Sequence, residues 1–366
     1  MALPNRLLVA DGMIVLLTGA AGLIGGELAA RLLAAGHGVI ALVRSNLEVR
    51  ANDGRLLDAA PLSAALPKPG EIVTLTGNVA YEGLGLDSDV RQMLIKGIDL
   101  VIHCAAITDF DAAEEVYRTV NVGGTANVLA VAGKARFLHV STAYVCGLKD
   151  GHIAECERDP DFDFANGYER SKADGEALVR ALGKRAVIAR PSIVVGDHGT
   201  GVIRSFDTFY QFFKLVAEGR LTTLPVAQDS TLDFVPIDHV VGGLMDIVAH
   251  WDQAAGKAFH LSSGAPITMA VLAEAISGYD HLAEPQLIEP ADFAEEALPT
   301  GERRLYRRVA SYYSSYFQRS PRFATANLAE LSGRSCPPVT VAALDRMIDH
   351  CLDRGFIRAA RQRMSG

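Results

Sequence analysis

The sequence lacks any CxxC pair. Its five cysteines, Cys104, Cys146, Cys156, Cys336 and Cys351, are scattered and stand at no Cys/His metal spacing. That excludes a disulfide framework and a zinc module, leaves no metal site expected, and fits a reduced, cytoplasmic compartment. Basic charge is also scarce, with 35 Lys and Arg against 43 Asp and Glu, a formal net charge of -8. Broad attraction to nucleic acid or to an anionic membrane is therefore not expected. Glu27 and Arg31 interrupt the apolar stretch near the N-terminus, so no run approaches a membrane span. The N-terminus also lacks a charged region followed by an apolar core and cleavage site, so no signal peptide is expected. What remains, 49% hydrophobic and 21% charged over 366 residues, is a globular chain with enough apolar content for one large or two modest cores. Its partner is expected to be a small molecule or another protein.

Through the first half, short apolar runs alternate with helix-period segments. "MIVLLTG" is followed by "GGELAARLLAAG" and "GVIALVR", and later by "EIVTLTG", "DLVIHCAA", "RFLHVSTAYV" and "AVIARPSIVVG". Buried strands separated by amphipathic helices predict βαβ units, an α/β fold with a Rossmann-type doubly wound parallel sheet. After Gly196 the pattern changes to the aromatic "SFDTFYQFFKLVAEG" and a turn-rich stretch, before returning to "LDFVPIDHVVGGLMDIVAHW" and "KAFHLSS". The expected division is a dinucleotide-binding domain of residues 1–197 plus 232–263 and a smaller, mostly helical substrate lobe of residues 198–231 plus 264–366. Substrate should lie between them.

"LLTGAAGLIGGELAARLL" places Gly19, Gly22 and Gly25 at three-residue spacing after a strand and at the opening of a helix. Glycines there permit a tight turn, close approach of backbone to a pyrophosphate and close helix packing, while the helix N-terminus favours the phosphate charge. The next strand ends at Arg44, where an NAD-preferring site more often carries an acid for the ribose 2′-hydroxyl. A cation suits the extra phosphate of NADP(H), and Arg55 stands close enough in sequence to assist.

Tyr168 and Lys172 in "NGYERSK" are four apart, on one face of a helix. An ammonium near a phenol favours the phenolate and brings its pKa closer to neutrality. The spacing alone decides little, because ten tyrosines supply it readily by accident. The strand "RFLHVSTAYV" adds Ser141 and Thr142 at its C-terminal end, where a hydroxyl can hydrogen-bond a developing oxyanion.

Together, the TGxxGxxG loop, "HCAA" (103–106), "NVGGT" (121–125), "STAYV", YxxxK and "RPSIVVGD" (190–197) resemble the extended short-chain dehydrogenase/reductase superfamily over roughly residues 13 to 265. The resemblance implies that Thr142 binds the substrate carbonyl, Tyr168 transfers the proton, and Lys172 holds the nicotinamide ribose and lowers the tyrosine pKa. It assigns Thr18, Gly19, Ala21, Gly22, Leu23, Ile24 and Gly25 to the cofactor, with Ser141 flanking the site. Asn78 and Val79 stand where the family carries an Asp-hydrophobic pair against adenine. Ala105, Ala106 and Thr108 line the cofactor after the fourth strand, and Pro191, Ser192, Ile193 and Val194 lie near the nicotinamide.

Within the superfamily, "HCAAITDF", "VSTAYVCG", "NGYERSK", "RPSIVVGD" and "LDFVPIDHVV" are similar to the thioester-reductase and fatty-acyl-reductase branch. That implies NADPH-dependent reduction of a CoA-bound or carrier-bound acyl thioester to aldehyde or alcohol, with an acyl carrier protein as candidate partner. Three alternatives stay open: a reductase of free ketones or aldehydes, a nucleotide-sugar epimerase or dehydratase, and a non-catalytic NADP-binding protein. Against a dehydratase, Ala143 and Tyr144 follow Thr142 where that group carries acids.

Other stretches have two readings. Arg303, Arg304, Arg307, Arg308, Arg319 and Arg322, set among tyrosines and phenylalanines, are either a docking surface for an acidic carrier or CoA phosphates, or the solvated face of an amphipathic helix. The phenylalanines of 205–219 are either acyl-pocket lining or core. His103 and Cys104 are expected to be packing or cofactor-loop residues. Ser88 in "GLGLDSD" lies between two sheet strands and is not a carrier attachment site.

Overall fold

The structure is a computed structural model and describes residues 12–155, 163–207, 209–227 and 229–358. Cys156 lies outside the described residues. Cys104, Cys146, Cys336 and Cys351 are free thiols.

Eight strands form one sheet: β1 (Ile14–Thr18), β2 (Gly38–Val43), β3 (Ala60–Pro61), β4 (Ile72–Thr76), β5 (Leu100–His103), β6 (Arg136–Val140), β7 (Ala186–Pro191) and β8 (Ala258–Leu261). Their spatial order is β8-β7-β6-β5-β1-β2-β4-β3, and every pairing is parallel. The apolar runs are continuous because both faces are covered. Val15 and Leu17, Val39 and Ala41, and Ile102 point to one face, whereas Leu16, Ile40 and Val101 point to the other.

The helices that cover the sheet or border the site are α1 (Leu23–Ala34), α2 (Ser88–Gly97), α3 (Gly124–Ala132), α4 (Gly167–Arg180), α5 (Phe209–Ala217), α6 (Ile237–Ala249) and α7 (Thr300–Arg308). On the first face, Leu28 and Leu32 of α1 pack with Val240 and Leu244 of α6. On the second, Leu94 of α2, Val128 and Val131 of α3, and Val179 of α4 complete the core. Ser88 opens α2 between β4 and β5. Truncating a leucine such as Leu16, fully buried in the sheet, to alanine removes about 2–5 kcal/mol of stability.

A third buried cluster lies beyond the C-terminal ends of the strands. It unites Phe209, Phe212 and Phe213 of α5 with Phe234, Leu272, Ile276, Tyr316, Phe317, Leu344 and Ile348. The strand order reverses about β1 and β5, which opens a crevice at their C-terminal ends against this third cluster. Topology thus brings the glycine turn after β1, the loop after β5 and the hydroxyls after β6 to one place.

Candidate active site

The turn after β1 is built around glycine. Gly19 has φ of +70°, and a Cβ on it would meet the Ala105 nitrogen at 2.7 Å. A Cβ on Gly25 would stand 2.2 Å from the Gly19 carbonyl oxygen. Gly22 caps α1 with no side chain of its own, so the first amide groups of the helix face outward into the crevice. This bare helix N-terminus, with no acid in its first turn, fits a dinucleotide pyrophosphate. Thr18 is fixed by a relay: the Ala105 amide donates to Thr18 Oγ1 at 3.2 Å, and that hydroxyl lies 2.7 Å from His103 Nδ1. His103 Nε2 lies 3.2 Å from Thr125 Oγ1, which in turn donates to the Asn121 carbonyl at 2.6 Å. Burial lowers the His103 pKa to about 3, with the Lys172 charge adding to the effect, so the ring is neutral and joins two strand ends.

The residues expected to set cofactor specificity lie outside that turn. Arg44 is exposed one residue beyond β2, and Arg55 is exposed beside Asp53, 3.9 Å away. Asn78 closes its own turn, its Oδ1 accepting from the Ala80 amide at 3.0 Å. Val79 is buried, and its carbonyl accepts from Asn127 Nδ2. A residue that sequence reasoning missed is Arg204, whose Nη2 donates to the Ala21 carbonyl at 3.1 Å and ties the 198–207 loop to the glycine turn.

Thr142, Tyr168 and Lys172 come from β6 and α4. Asn166 starts α4 by accepting from the Glu169 amide at 2.9 Å, and this cap sets the helix phase. At the far end of the site, the buried Arg190 of β7 makes a two-pronged ion pair with Glu176, at 2.8 and 2.7 Å. Burial alone would raise the Glu176 pKa, but Arg190 holds it below the usual range. Thr142 is buried, donates to the Pro191 carbonyl at 3.4 Å and lines the same cavity as Tyr168. Lys172 Nζ donates to the Val140 carbonyl at 2.8 Å. Burial lowers its pKa to about 8, against the opposing pull of Glu176 and Cys104.

The lowering of Tyr168 expected from Lys172 is not what the protein alone shows. Burial pushes the Tyr168 phenol well above its ordinary range, the neighbouring Thr142 hydroxyl pulls it partway back, and Glu169 and Tyr117 push it further up. The reason is geometric, since the ammonium is turned to Val140 on β6. Tyr168 is therefore held as a neutral phenol, the form that donates a proton.

A cavity of about 330 Å³ joins these groups. Gly19, Gly22, Leu23, Ile24, Gly25, Ala106, Thr108, Ser141, Thr142, Tyr168 and Pro191 to Val194 line it, so most of the expected residues converge. Thr18, Ala21, Ala105 and Lys172 stand behind that lining. Ser141 is buried next to Glu176, and the Ser192 hydroxyl is bonded to Asp233. Phe110, Tyr144, Tyr313, Tyr316 and Phe317 form an aromatic wall that sequence reasoning missed. The α5 aromatics divide: Phe209 and Tyr210 reach the cavity, whereas Phe212 and Phe213 are core.

The arginine-rich segment divides too. Arg303, Arg304, Arg307 and Arg308 lie together on α7 around a second cavity of about 390 Å³, with Arg307 ion-paired to Glu295. Arg322 is exposed on the short strand Pro321–Phe323. Arg319 departs from both readings, because it is buried and ion-paired to Glu169. Among the described residues, no group of three or more His, Cys, Asp or Glu is placed to hold a metal ion, and no helix is long and apolar enough to cross a membrane.

A model of NAD-binding domains described as Male sterility protein matches residues 17–244. Aldehyde reductase lnaA of Aspergillus flavus is 26% identical over 206 residues, covering 52% of this chain and 20% of that protein. Fatty acyl-CoA reductase 1 of Gallus gallus is 30% identical over 288 residues, covering 66% of this chain and 55% of that protein. The chain thus spans only part of the length of these curated relatives. The terminal R domain from the myxalamid PKS-NRPS biosynthetic pathway superposes with a TM-score of 0.80 at 23% identity, over 97% of this chain and 94% of that one. That last likeness is one of fold.

Proposed function

This chain belongs to the male sterility family of NAD-binding, extended short-chain dehydrogenases/reductases, and from that premise we propose that it is an NADPH-dependent reductase of acyl thioesters. The observation that carries the reading is that the Thr142 and Tyr168 hydroxyls meet on the wall of an aromatic, apolar cavity that runs on from the glycine turn. Acyl-CoA reductase and R-domain relatives support the substrate class.

The glycine turn and the α1 N-terminus would hold the pyrophosphate, and Arg44 and Arg55 the 2′-phosphate, which selects NADPH over NADH. Residues 1–197 plus 232–263 would bind the cofactor, and 198–231 plus 264–366 the acyl group. When bound, the cofactor supplies hydride to the thioester carbonyl. Thr142 and Tyr168 donate hydrogen bonds to the carbonyl oxygen, where negative charge grows. Tyr168 then passes its proton to that oxygen, giving a hemithioacetal. Lys172 would hold the ribose and offset part of the negative charge left on Tyr168. Collapse of the hemithioacetal releases thiol and aldehyde, and a second hydride would give the alcohol. Tyr144, rather than an acid, follows Ala143 into the cavity, so the proton donors of a sugar dehydratase are missing from that position.

The test is a panel of acyl-CoAs, acyl-pantetheines, free ketones, aldehydes and nucleotide sugars, each incubated with NADPH. Loss of reduced-nicotinamide absorbance and mass spectrometry of products report turnover. Aldehyde or alcohol formed from a thioester supports the proposal, while turnover confined to free ketones or sugars overturns it.

A further inference from the structure

Glu169 and Arg319 are 150 residues apart and are buried as an ion pair, with Nη2 to Oε1 at 2.6 Å and side chains 0% and 4% exposed. Glu169 follows Tyr168 directly on α4. Its other oxygen, Oε2, accepts from the Ala165 amide at 3.2 Å, which closes the first turn of the helix. Arg319 also donates to the Gly147 carbonyl, and its guanidinium lies over the rings of Tyr144 (5.1 Å) and Tyr316 (4.7 Å). The Tyr316 hydroxyl donates to the same Glu169 oxygen at 2.9 Å. Tyr316 stacks on Phe110 with centroids 5.7 Å apart and planes 7° apart, and Phe110 in turn lies 5.7 Å from the Tyr168 ring. The cavity wall and the proton donor are thus joined through one carboxylate.

Burying two charges carries a large desolvation cost, and an apolar pair of the same volume would brace the lobes as well or better. What the ions add is direction, because each remaining lone pair and N–H is aimed at one partner. We propose that Glu169 and Arg319 are positioning residues, a charged pin that registers the Tyr316 face of the acyl cavity to the Tyr168 hydroxyl. This deepens the reductase reading and rests on it. The groups facing Tyr168 are Thr142, Tyr117 and Glu169, and those facing Glu169 are Arg319 and Tyr316, with Tyr144 and Cys146 beside the pin.

The experiment compares wild type, Tyr168→Phe, Tyr316→Phe and Glu169→Gln in kcat and KM, using the best carbonyl substrate of the wild type. Tyr316→Phe keeps the stacked ring and loses only the hydroxyl on Glu169. Its kcat should fall about tenfold with KM changed less than about twofold, because the bound group is seated but misaligned. Glu169→Gln keeps the shape of the carboxylate but removes the charge that holds Arg319, so its kcat should fall in the same way with KM little changed. Should Glu169→Gln fail to fold, Tyr316→Phe carries the test. If Tyr168→Phe is inactive while Tyr316→Phe keeps the wild-type kcat, or loses only KM, the pin is overturned and the reductase reading stands. A wild type inert on every carbonyl, or a fully active Tyr168→Phe, overturns the reductase reading and the pin with it.

Discussion

Lys172→Met isolates the energetic consequence of building the site inside the protein. Lys172 is 3% exposed, and burial depresses its pKa from 10.5 to about 8. Between about pH 8 and 10.5 the unfolded chain therefore binds more protons than the folded one, so wild-type stability rises with pH through that window. Below it, keeping the folded lysine charged costs about 3 kcal/mol. Methionine removes this titration and leaves the Val140 carbonyl without its donor, a loss of about 1–3 kcal/mol that does not depend on pH. Cys104, raised by burial to about 12, stays protonated throughout. His103 and His139 also feel the Lys172 charge, but burial keeps both neutral throughout this range, so they do not enter the difference. Urea unfolding followed by far-UV circular dichroism, at intervals from pH 7 to pH 10.5, gives that difference. The wild type should gain about 3 kcal/mol on the variant across the range. A difference flat with pH would refute a depressed Lys172, and with it the claim that the site gives up stability to hold a cation beside Tyr168.

Three further outcomes are expected. Tyr168→Phe should bind NADPH with wild-type affinity, measured by nicotinamide fluorescence, and lose at least about a hundredfold in kcat; unchanged turnover would return Tyr168 to an ordinary helix position. Arg44→Glu should weaken NADPH by about tenfold or more while leaving NADH within about twofold, by removing a charge-assisted contact to the 2′-phosphate; equal loss for both would move the specificity elsewhere. Reversing Arg303 and Arg307 to Glu together should raise KM for a carrier-bound substrate and not for a small aldehyde, since four arginines of α7 gather around one surface cavity. Equal effects on both substrates would leave α7 as a solvated helix.

The sheet was legible because each central strand is buried on both faces. Val15 to Leu17 and Val39 to Ala41 read as unbroken apolar runs, and such runs form only where helices cover both sides. The glycine turn was legible for a related reason, since Gly19 and Gly25 occupy places where a Cβ would strike backbone. Local sterics leave a local mark, and Tyr168, four residues before Lys172 on a capped helix, leaves one as well. The aromatic wall leaves none. Tyr144, Phe110 and Tyr316 come from three segments far apart in the chain that meet only when the third cluster closes over the strand ends.

Arg319 shows the same limit more sharply. In sequence it is one of six arginines among tyrosines, and composition assigns all six to solvent or to an acidic partner. The fold divides them by what lies opposite. Arg304, Arg307 and Arg308 remain exposed on α7, whereas Arg319 meets a carboxylate that a helix cap has already turned inward. Glu169 does carry a local signal, because Asn166 and Glu169 stand at the spacing of a capping motif. That signal accounts for one of its oxygens, Oε2 on Ala165, and leaves Oε1 unassigned. An inward carboxylate at the start of the helix that bears Tyr168 needs a buried cation, and Arg319 supplies it from the arginine-rich, aromatic segment 303–322. The pairing follows from the need to neutralise Glu169, and the position of the pair beside Tyr168 is what makes a structural necessity available to the chemistry.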